Sequence, residues 1–487
     1  MTQKTQLKIS DNTMRSVLTR FFSVITAVVA FVTAAVIPVS AESSVKLPDN
    51  EAMRFVDAMG AGWNLGNEFD AADCTWISNK LDYETAWSHA KTTRELIATV
   101  KKAGFSTIRI PVSWHDHVDS SFNIDKDWLA RVKEVVDWCV DEDLYIVLNT
   151  HHDIKKGFIY PSKDQLKESE KYIVKIWEQL CSTFGNYSEK LIFEAMNEPR
   201  LAGTNYEWWF NTSAVPAEAK DSLECVNQLN QAFVDTVRAS GKKNGTRYLL
   251  VGGYATSDSD IGILSGYFRM PADKVKNRLI ADVHYYCSNL KFNQNGFKKI
   301  YDAFSAKGVP VIVSEFGLRK DYEEGYSLHD KEDVSAKKLG EIVACAREYG
   351  FSCIFWDNNS GSAGKIGFKI IDRATAKVEL PKIVDAIVKN GAPAFASMVQ
   401  SAACPSVKSS LSGNKLTLSW NKVEGASKYA VYVLKNGKYT KLKTLSGTKL
   451  TVSGLVSGKT YKYAVRAYVG GKWSAVTSAC TVSVKVK

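Results

Sequence analysis

The 487-residue sequence is short of several patterns that mark common protein classes. Nine Cys stand at 74, 139, 181, 225, 287, 345, 353, 404 and 480, and no two of them form a C-x-x-C pair. That scatter excludes a zinc ribbon and a dense disulfide framework, and leaves most of them as small buried apolar side chains. Cys404 and Cys480 flank the last segment as a candidate pair that spacing alone does not establish. No glycine-rich phosphate loop lies early in the chain, which argues against a doubly wound nucleotide-binding sheet. Nor is the formal net charge of +11 spread evenly along the chain. Residues 405–487 hold 14 Lys and one Arg against Glu424 alone, and residues 42–404 are mildly acidic. A nucleic-acid partner for the whole chain is therefore not expected.

Long apolar runs are scarce too, with one exception. Lys4, Lys8, Arg15 and Arg20 precede an uncharged apolar stretch at 21–37, and Val39-Ser40-Ala41 follows with small residues spaced for signal peptidase. The stretch is short for a bilayer span and is diluted by Ser23, Thr26 and Thr33. A removable signal peptide at 1–41 is expected. With it goes a secreted, extracellular protein that keeps no membrane contact after cleavage.

Aromatic residues are plentiful: 12 Trp, 21 Tyr and 21 Phe offer flat faces for a core or for sugar rings. From residue 44 to 390, short β-branched runs alternate with amphipathic helical stretches, the pattern of a parallel sheet with crossover helices. Strands are expected at 62–66, 107–111, 145–150, 191–196, 248–252, 279–284, 311–314 and 352–356. Helices are expected at 91–103, 128–142, 168–184 and 223–240, among others. Eight strand–helix repeats in this length predict an α/β fold, a (β/α)8 TIM barrel. Residues 391–404 read as a linker. Residues 405–487 change to short alternating strands with Gly, Ser and Asn turns, which predicts a small all-β sandwich.

A barrel carries its chemistry past the C-terminal ends of its strands. Polar and aromatic residues gather there: Arg109, His151-His152-Asp153, Asn197-Glu198-Pro199, His284-Tyr285-Tyr286, Glu315-Phe316-Gly317 and Trp356-Asp357-Asn358. Glu198 and Glu315 end strands that face each other across a barrel mouth. Cutting an acetal needs an acid for the leaving oxygen and an anion for the oxocarbenium-like centre, and two carboxylates about 5–5.5 Å apart give retained stereochemistry. The competing readings are plainer. A Glu after a strand is commonly a solvated or helix-start charge, Arg109 serves equally as an ion-pair partner, and a strand Trp such as Trp356 is commonly core. His151-His152-Asp153 invites a metal reading. Adjacent side chains on an extended segment point opposite ways, so two imidazoles are not expected on one ion, and neither a metal nor a cofactor is expected.

Seven motifs, in order, carry a resemblance. Gly62-Trp63-Asn64-Leu65-Gly66-Asn67, Ile108-Arg109-Ile110-Pro111, Asn149-Thr150-His151-His152, Ala195-Met196-Asn197-Glu198-Pro199, His284-Tyr285-Tyr286, Ser314-Glu315-Phe316-Gly317 and Phe355-Trp356-Asp357 together resemble glycoside hydrolase family five, most closely its bacterial endoglucanase and xyloglucanase branch. The resemblance implies Glu198 as acid/base and Glu315 as nucleophile. It implies Asn197 as the amide on the sugar 2-hydroxyl, with Arg109 and Tyr286 holding the nucleophile. His151 and His284 become polar neighbours of the reacting sugar, and Trp356 the aromatic platform beneath it. Trp63, Trp114, Trp208 and Trp209 are weaker candidates for sugar stacking, and the Trp208-Trp209 pair, in a long loop after the fourth strand, is a candidate cleft lining. The implied activity is a retaining endo-β-1,4-glucanase acting on β-glucan. Xyloglucanase, lichenase and mannanase remain on the same scaffold, and a non-catalytic wall-glycan-binding protein or a metal-dependent hydrolase are the rivals of other classes. The C-terminal segment resembles a fibronectin type III domain, with Trp420 in its second strand and Tyr461 at the tyrosine-corner position. Its charge suits either a solvated spacer or an anionic wall polymer as partner.

Overall fold

Strands buried on both faces are built from near-continuous apolar runs, and the chain supplies eight of them. The computed structural model describes residues 45–288, 292–319, 328, 331–360, 367–394, 405–423, 425–435, 438–469, 472–474 and 480–486. The expected signal segment 1–41, most of the 391–404 linker and the Cys404 half of the candidate pair lie outside the described residues. The barrel strands are β1 (Ala61–Asn64), β2 (Thr107–Ile110), β3 (Tyr145–Asn149), β4 (Leu191–Glu194), β5 (Leu249–Ser257), β6 (Leu279–Ser288), β7 (Val311–Arg319) and β8 (Ser352–Phe355). They pair in sequence order and β8 closes on β1 in parallel.

Among the described residues eight α-helices accompany them: α1 (Glu51–Met59), α2 (Arg94–Lys102), α3 (Lys126–Asp141), α4 (Leu166–Phe184), α5 (Ala217–Ala239), α6 (Gln294–Ala303), α7 (Glu332–Glu348) and α8 (Pro381–Asn390). Local chemistry sets several starts. The Asn50 side chain accepts from Met53 N–H, Thr93 from Leu96 N–H, and Asp125 from Asp127 and Trp128 N–H. The expectation of eight strand–helix repeats needs one correction, because β5 runs to β6 through turns alone. That stretch holds Gly262, Gly266 and Pro271, and a Cβ on Gly262 would come within 2.3 Å of the Ser257 carbonyl. So tight a backbone leaves no amphipathic run to wind. Among the described residues, no helix is long and apolar enough to cross a membrane.

The barrel interior is layered, and period-two alternation dictates what each layer contains. Val147, Ile192, Leu250, Ile280, Ile312 and Ile354 form an apolar floor, closed by Ala52, Phe55, Val56 and Met59 of α1. Two residues further along the same strands stand Asn149, Glu194, Gly252, Asp282, Ser314 and Trp356. The core thus turns polar toward the C-terminal rim. Shifts in register then aim individual side chains: Val283 pairs with Val313 but His284 pairs with Glu315, one residue of β7 being bulged between them. Trp63 and Trp114 are fully buried, so these two weaker sugar-stacking candidates are core residues.

Beyond α8 the described elements are β-strands. A small hairpin, β9 (Ile371–Asp372) and β10 (Lys377–Val378), precedes α8, and the C-terminal strands are β11 (Val407–Ser412), β12 (Lys415–Trp420), β13 (Ala426–Lys435), β14 (Lys438–Leu445), β15 (Lys449–Val452), β16 (Thr460–Val469), β17 (Lys472–Trp473) and β18 (Thr481–Lys485). One sheet runs β11-β12-β15, the other β14-β13-β16-β17 with β18 also on β16. Leu416, Leu418, Trp420, Tyr429, Val431 and Tyr463 fill a core of their own. Trp420 lies in the module's second strand, and the Tyr461 hydroxyl accepts from Val456 N–H at 3.2 Å, a short-range tie of the tyrosine-corner kind.

Candidate active site

Arg109 occupies the centre of the polar layer. A guanidinium with no exposure must spend all its donors on protein. Nε and Nη2 fork onto Glu194 at 2.6 and 2.7 Å, Nη1 donates to Glu315 Oε1 at 2.7 Å and to Asn64 Oδ1 at 3.0 Å, and Nη2 reaches Asn197 Oδ1 at 2.7 Å. The Tyr286 hydroxyl donates to the other oxygen of Glu315 at 2.7 Å. Glu315 is thereby fixed through both oxygens. Tyr285, its neighbour, instead packs on Phe292 and Phe297, so Tyr286 is the member of the pair that faces the site.

Glu198 comes from the turn after β4 and Glu315 from within β7, with His284 of β6 between them. His284 Nδ1 lies 2.9 Å from Glu198 Oε1 and 3.5 Å from Glu315 Oε2. One ligand-type atom each from Glu198, His284 and Glu315 falls within a 4.8 Å span. Burial by itself lowers the pKa of His284, but Glu315 and Glu198 outweigh it and raise it to about 9. Burial pushes Glu198 up, yet the His284 hydrogen bond and charge, with Arg200 and His152, bring it below the usual carboxylate range. At neutral pH the shared proton therefore rests on His284, one short hydrogen bond from Glu198.

The expected substrate-binding residues converge on the same mouth. His151 lies 4.0 Å from Glu315 Oε1 and stacks parallel to Trp356 at 5.7 Å between ring centres. A Cβ on Gly66 would sit 2.6 Å from the Trp356 ring, so only glycine lets β1 end so close beneath that platform. Glu198, Trp208, Tyr286, Arg319, Trp356 and Phe368 line a cleft of about 550 Å³. Trp208 is half exposed and covers Arg200, whose guanidinium lies 4.0 Å from its ring and whose Nη1 is 3.6 Å from Glu198 Oε2. Trp209 is exposed and does not line this cleft.

The expectation that His151 and His152 point apart is overturned. β3 ends at Asn149, so the pair lies in a loop rather than an extended strand, and both imidazoles approach Asp70 Oδ2, at 3.9 and 3.8 Å. Burial raises Asp70 to about 7. Sequence reasoning also passed over Glu194, Asn64, Arg200 and Asp282. Their signal was available for Glu194 and Asp282, each a carboxylate inside an apolar β-run, where an ionised group demands a partner. Asp282 is raised to about 7 by burial and by Glu194 nearby.

Comparison with known proteins places the chain in a family. The family model for cellulase, glycosyl hydrolase family 5, matches residues 69–362, and that for the fibronectin type III domain matches 405–479. Endoglucanase A of Clostridium longisporum is 34% identical over 361 residues, which span 69% of this chain and 65% of that protein. A family 5 lichenase from Caldicellulosiruptor sp. F32 superposes with a TM-score of 0.65 at 42% identity, covering 71% of this chain and 96% of that one. A broad-specificity endoglucanase from Ruminococcus champanellensis, solved with cellotriose bound, gives 0.62 at 34% identity, covering 70% and 99%.

Proposed function

The chain belongs to glycosyl hydrolase family 5, and from that premise we propose that it is a retaining endo-β-1,4-glucanase in which Glu315 is the nucleophile and Glu198 the acid/base. The observation that carries this reading is the approach of the two carboxylates: an oxygen of Glu198 and one of Glu315 lie within 4.8 Å. Retaining hydrolases hold the pair about 5–5.5 Å apart, whereas inverting ones need roughly 6.5–9.5 Å to admit a water.

In the first step Glu315 attacks the anomeric carbon while the proton that His284 shares with Glu198 across their 2.9 Å contact passes through Glu198 to the departing sugar oxygen, leaving a glycosyl ester on Glu315. In the second, Glu198 takes a proton from water as that water attacks the same carbon, and Glu315 leaves as carboxylate. Arg109 and Tyr286 hold one oxygen each of Glu315, which orients the attack and stabilises the departing anion. Asn197 spends its carbonyl on Arg109, so its NH2 is left to donate to the sugar 2-hydroxyl. Trp356 supplies the stacking face, and His151 and His284 the polar surroundings.

Glu315→Ala should abolish release of reducing ends from soluble β-glucan while leaving glucan binding largely intact; a near-normal rate would remove the assignment. Proton NMR of the first product should show the β anomer ahead of mutarotation, and an initial α anomer would demand a different mechanism. β-1,4-Glucan is the expected main substrate, with lichenan and xyloglucan next given the lichenase and broad-specificity relatives. A product profile across cellulose, mixed-linkage glucan, xyloglucan and mannan ranks them. The composition of residues 1–41 supports secretion, and N-terminal sequencing of protein from culture medium should begin after Ala41. A mature chain that retains the 21–37 run contradicts that.

A further inference from the structure

A second cluster sits at the same rim and takes no part in the hydrolysis above. Asp73 belongs to the loop after β1, and His115 and Asp116 to the short turn after β2 (His115–His117). His115 Nε2 stands 3.5 Å from Asp73 Oδ1 and 3.5 Å from Asp116 Oδ2. The imidazole is 2% exposed, and this nitrogen is buried without a hydrogen bond. On the opposite edge of the ring, Nδ1 faces Asp153 Oδ1 at 3.3 Å. Asp153 is itself anchored by the Trp114 and His115 N–H groups and the Tyr172 hydroxyl, at 2.8, 2.7 and 2.9 Å. With its Nδ1 proton held toward Asp153, the ring presents Nε2 as the atom open to a metal ion. Nε2 faces two carboxylate oxygens, of which Asp116 Oδ2 also accepts from Asp73 N–H at 2.6 Å and Asp73 Oδ1 is paired with Lys155, and a proton or a metal cation at Nε2 would draw the three together.

We propose that Asp73, His115 and Asp116 form a zinc site, with Asp153 fixing the histidine tautomer from behind. Zinc binds His nitrogen and carboxylate oxygen at about 2.0–2.2 Å, which puts neighbouring ligand atoms roughly 3.4 Å apart in a tetrahedron. The same bond lengths in an octahedron bring them to roughly 3.0 Å. Both separations at His115 are 3.5 Å. One imidazole with two carboxylates suits zinc better than calcium or magnesium, which take oxygen throughout. Water completes the fourth position. Asp73 is 59% exposed and gives the ion its way in. Lys155 Nζ already contacts Asp73 Oδ1, so this oxygen draws a cation even now, and the half-exposed lysine is free to swing aside. The bound ion clips the loop after β1, which also carries Asp70, to the loop after β2, whose His115 is held from behind by Asp153 of the loop after β3. Its role is structural.

The test uses tag-free full-length protein, stripped with a chelator and dialysed against zinc chloride, with bound metal measured by elemental analysis. One equivalent of zinc is expected. Asp73→Asn and Asp116→Asn should each weaken binding at least tenfold, and Asp153→Asn by roughly 10–100-fold. Zinc at a hundredfold excess over its dissociation constant should raise the unfolding midpoint of the parent chain on the order of 3 °C and leave that of Asp73→Asn in place. Because Asp73 is exposed, its variant keeps the test open should a substitution at buried His115 fail to fold. Absence of stoichiometric zinc would mean that a proton on His115 fills the gap and would overturn the proposal. So would unchanged binding by the Asp73 and Asp116 variants, which would move the ion elsewhere, such as to Asp70, His151 and His152.

Discussion

His284 is placed where one proton serves two carboxylates, and its consequences can be followed through pH. Its pKa in the folded chain is about 9 against 6.5 for the ordinary side chain. A group raised in this way stabilises the fold fully below pH 6.5, and that contribution is lost as pH climbs through about 9. Glu68, Asp70 and Asp282 are also raised, to about 8, 7 and 7, and lose stability in the same direction. The difference between the parent chain and His284→Gln therefore isolates the histidine. Urea midpoints measured across this window should fall more steeply in the parent, and parallel profiles would show that His284 is not charged in the folded state. The alkaline limb of kcat/KM should also move to lower pH in His284→Gln, since Glu198 would have to hold its proton unaided. At this scale the sequence was most legible where motifs crowd: Glu198, Glu315, Arg109, Asn197, Tyr286, His151, His284 and Trp356 all meet at one mouth. What escaped it was partnership. Arg109 could be named without its fork on Glu194, because that contact joins strands 85 positions apart in the chain. The His151-His152 pair misled because two residues past a strand end look extended until the fold bends them.

Among the elements, strands were easier to foresee than the links between them. β1 through β8 lie within a few residues of the expected runs except where bulges extend β5, β6 and β7 toward the rim. Those extensions are what bring His284 opposite Glu315. A bulge has no strong sequence signal, because it adds one residue without altering composition. The missing helix between β5 and β6 shows the same limit, a repeat being inferred by analogy with its neighbours. The loop after β4 is where an element-scale prediction belongs. It carries Trp208 over Arg200, beside Glu198 and on the wall of the cleft. Trp208→Ala removes a stacking face worth on the order of 1 kcal/mol and uncovers the arginine. It should lower kcat/KM on glucan roughly five- to tenfold while leaving the parent's thermal midpoint nearly unchanged. Equal activity in the variant would show that no sugar rests on this indole.

At the scale of the whole chain, two hydrophobic cores share no residue, one threading the barrel and its helices and the other confined to the β-sandwich. Every side chain given a part in the chemistry belongs to the barrel, and among the described residues the cleft lining ends at Phe368. The net positive charge lies mostly in the other module, with 14 Lys and one Arg against one acid between 405 and 487. Such a surface attracts polyanions by a screened, salt-dependent force, but the substrate proposed for the cleft is uncharged. Deleting residues 405–487 should therefore leave kcat and KM on soluble β-glucan unchanged. If the lysines only solvate a spacer, adsorption of the full chain to anionic wall polymer should match that of the truncated one at every salt concentration. If they bind it, the full chain alone should adsorb at low salt and release as salt rises. A large fall in turnover on soluble glucan after the deletion would contradict the division itself, since it would require the sandwich to build part of a cleft whose named residues all precede it.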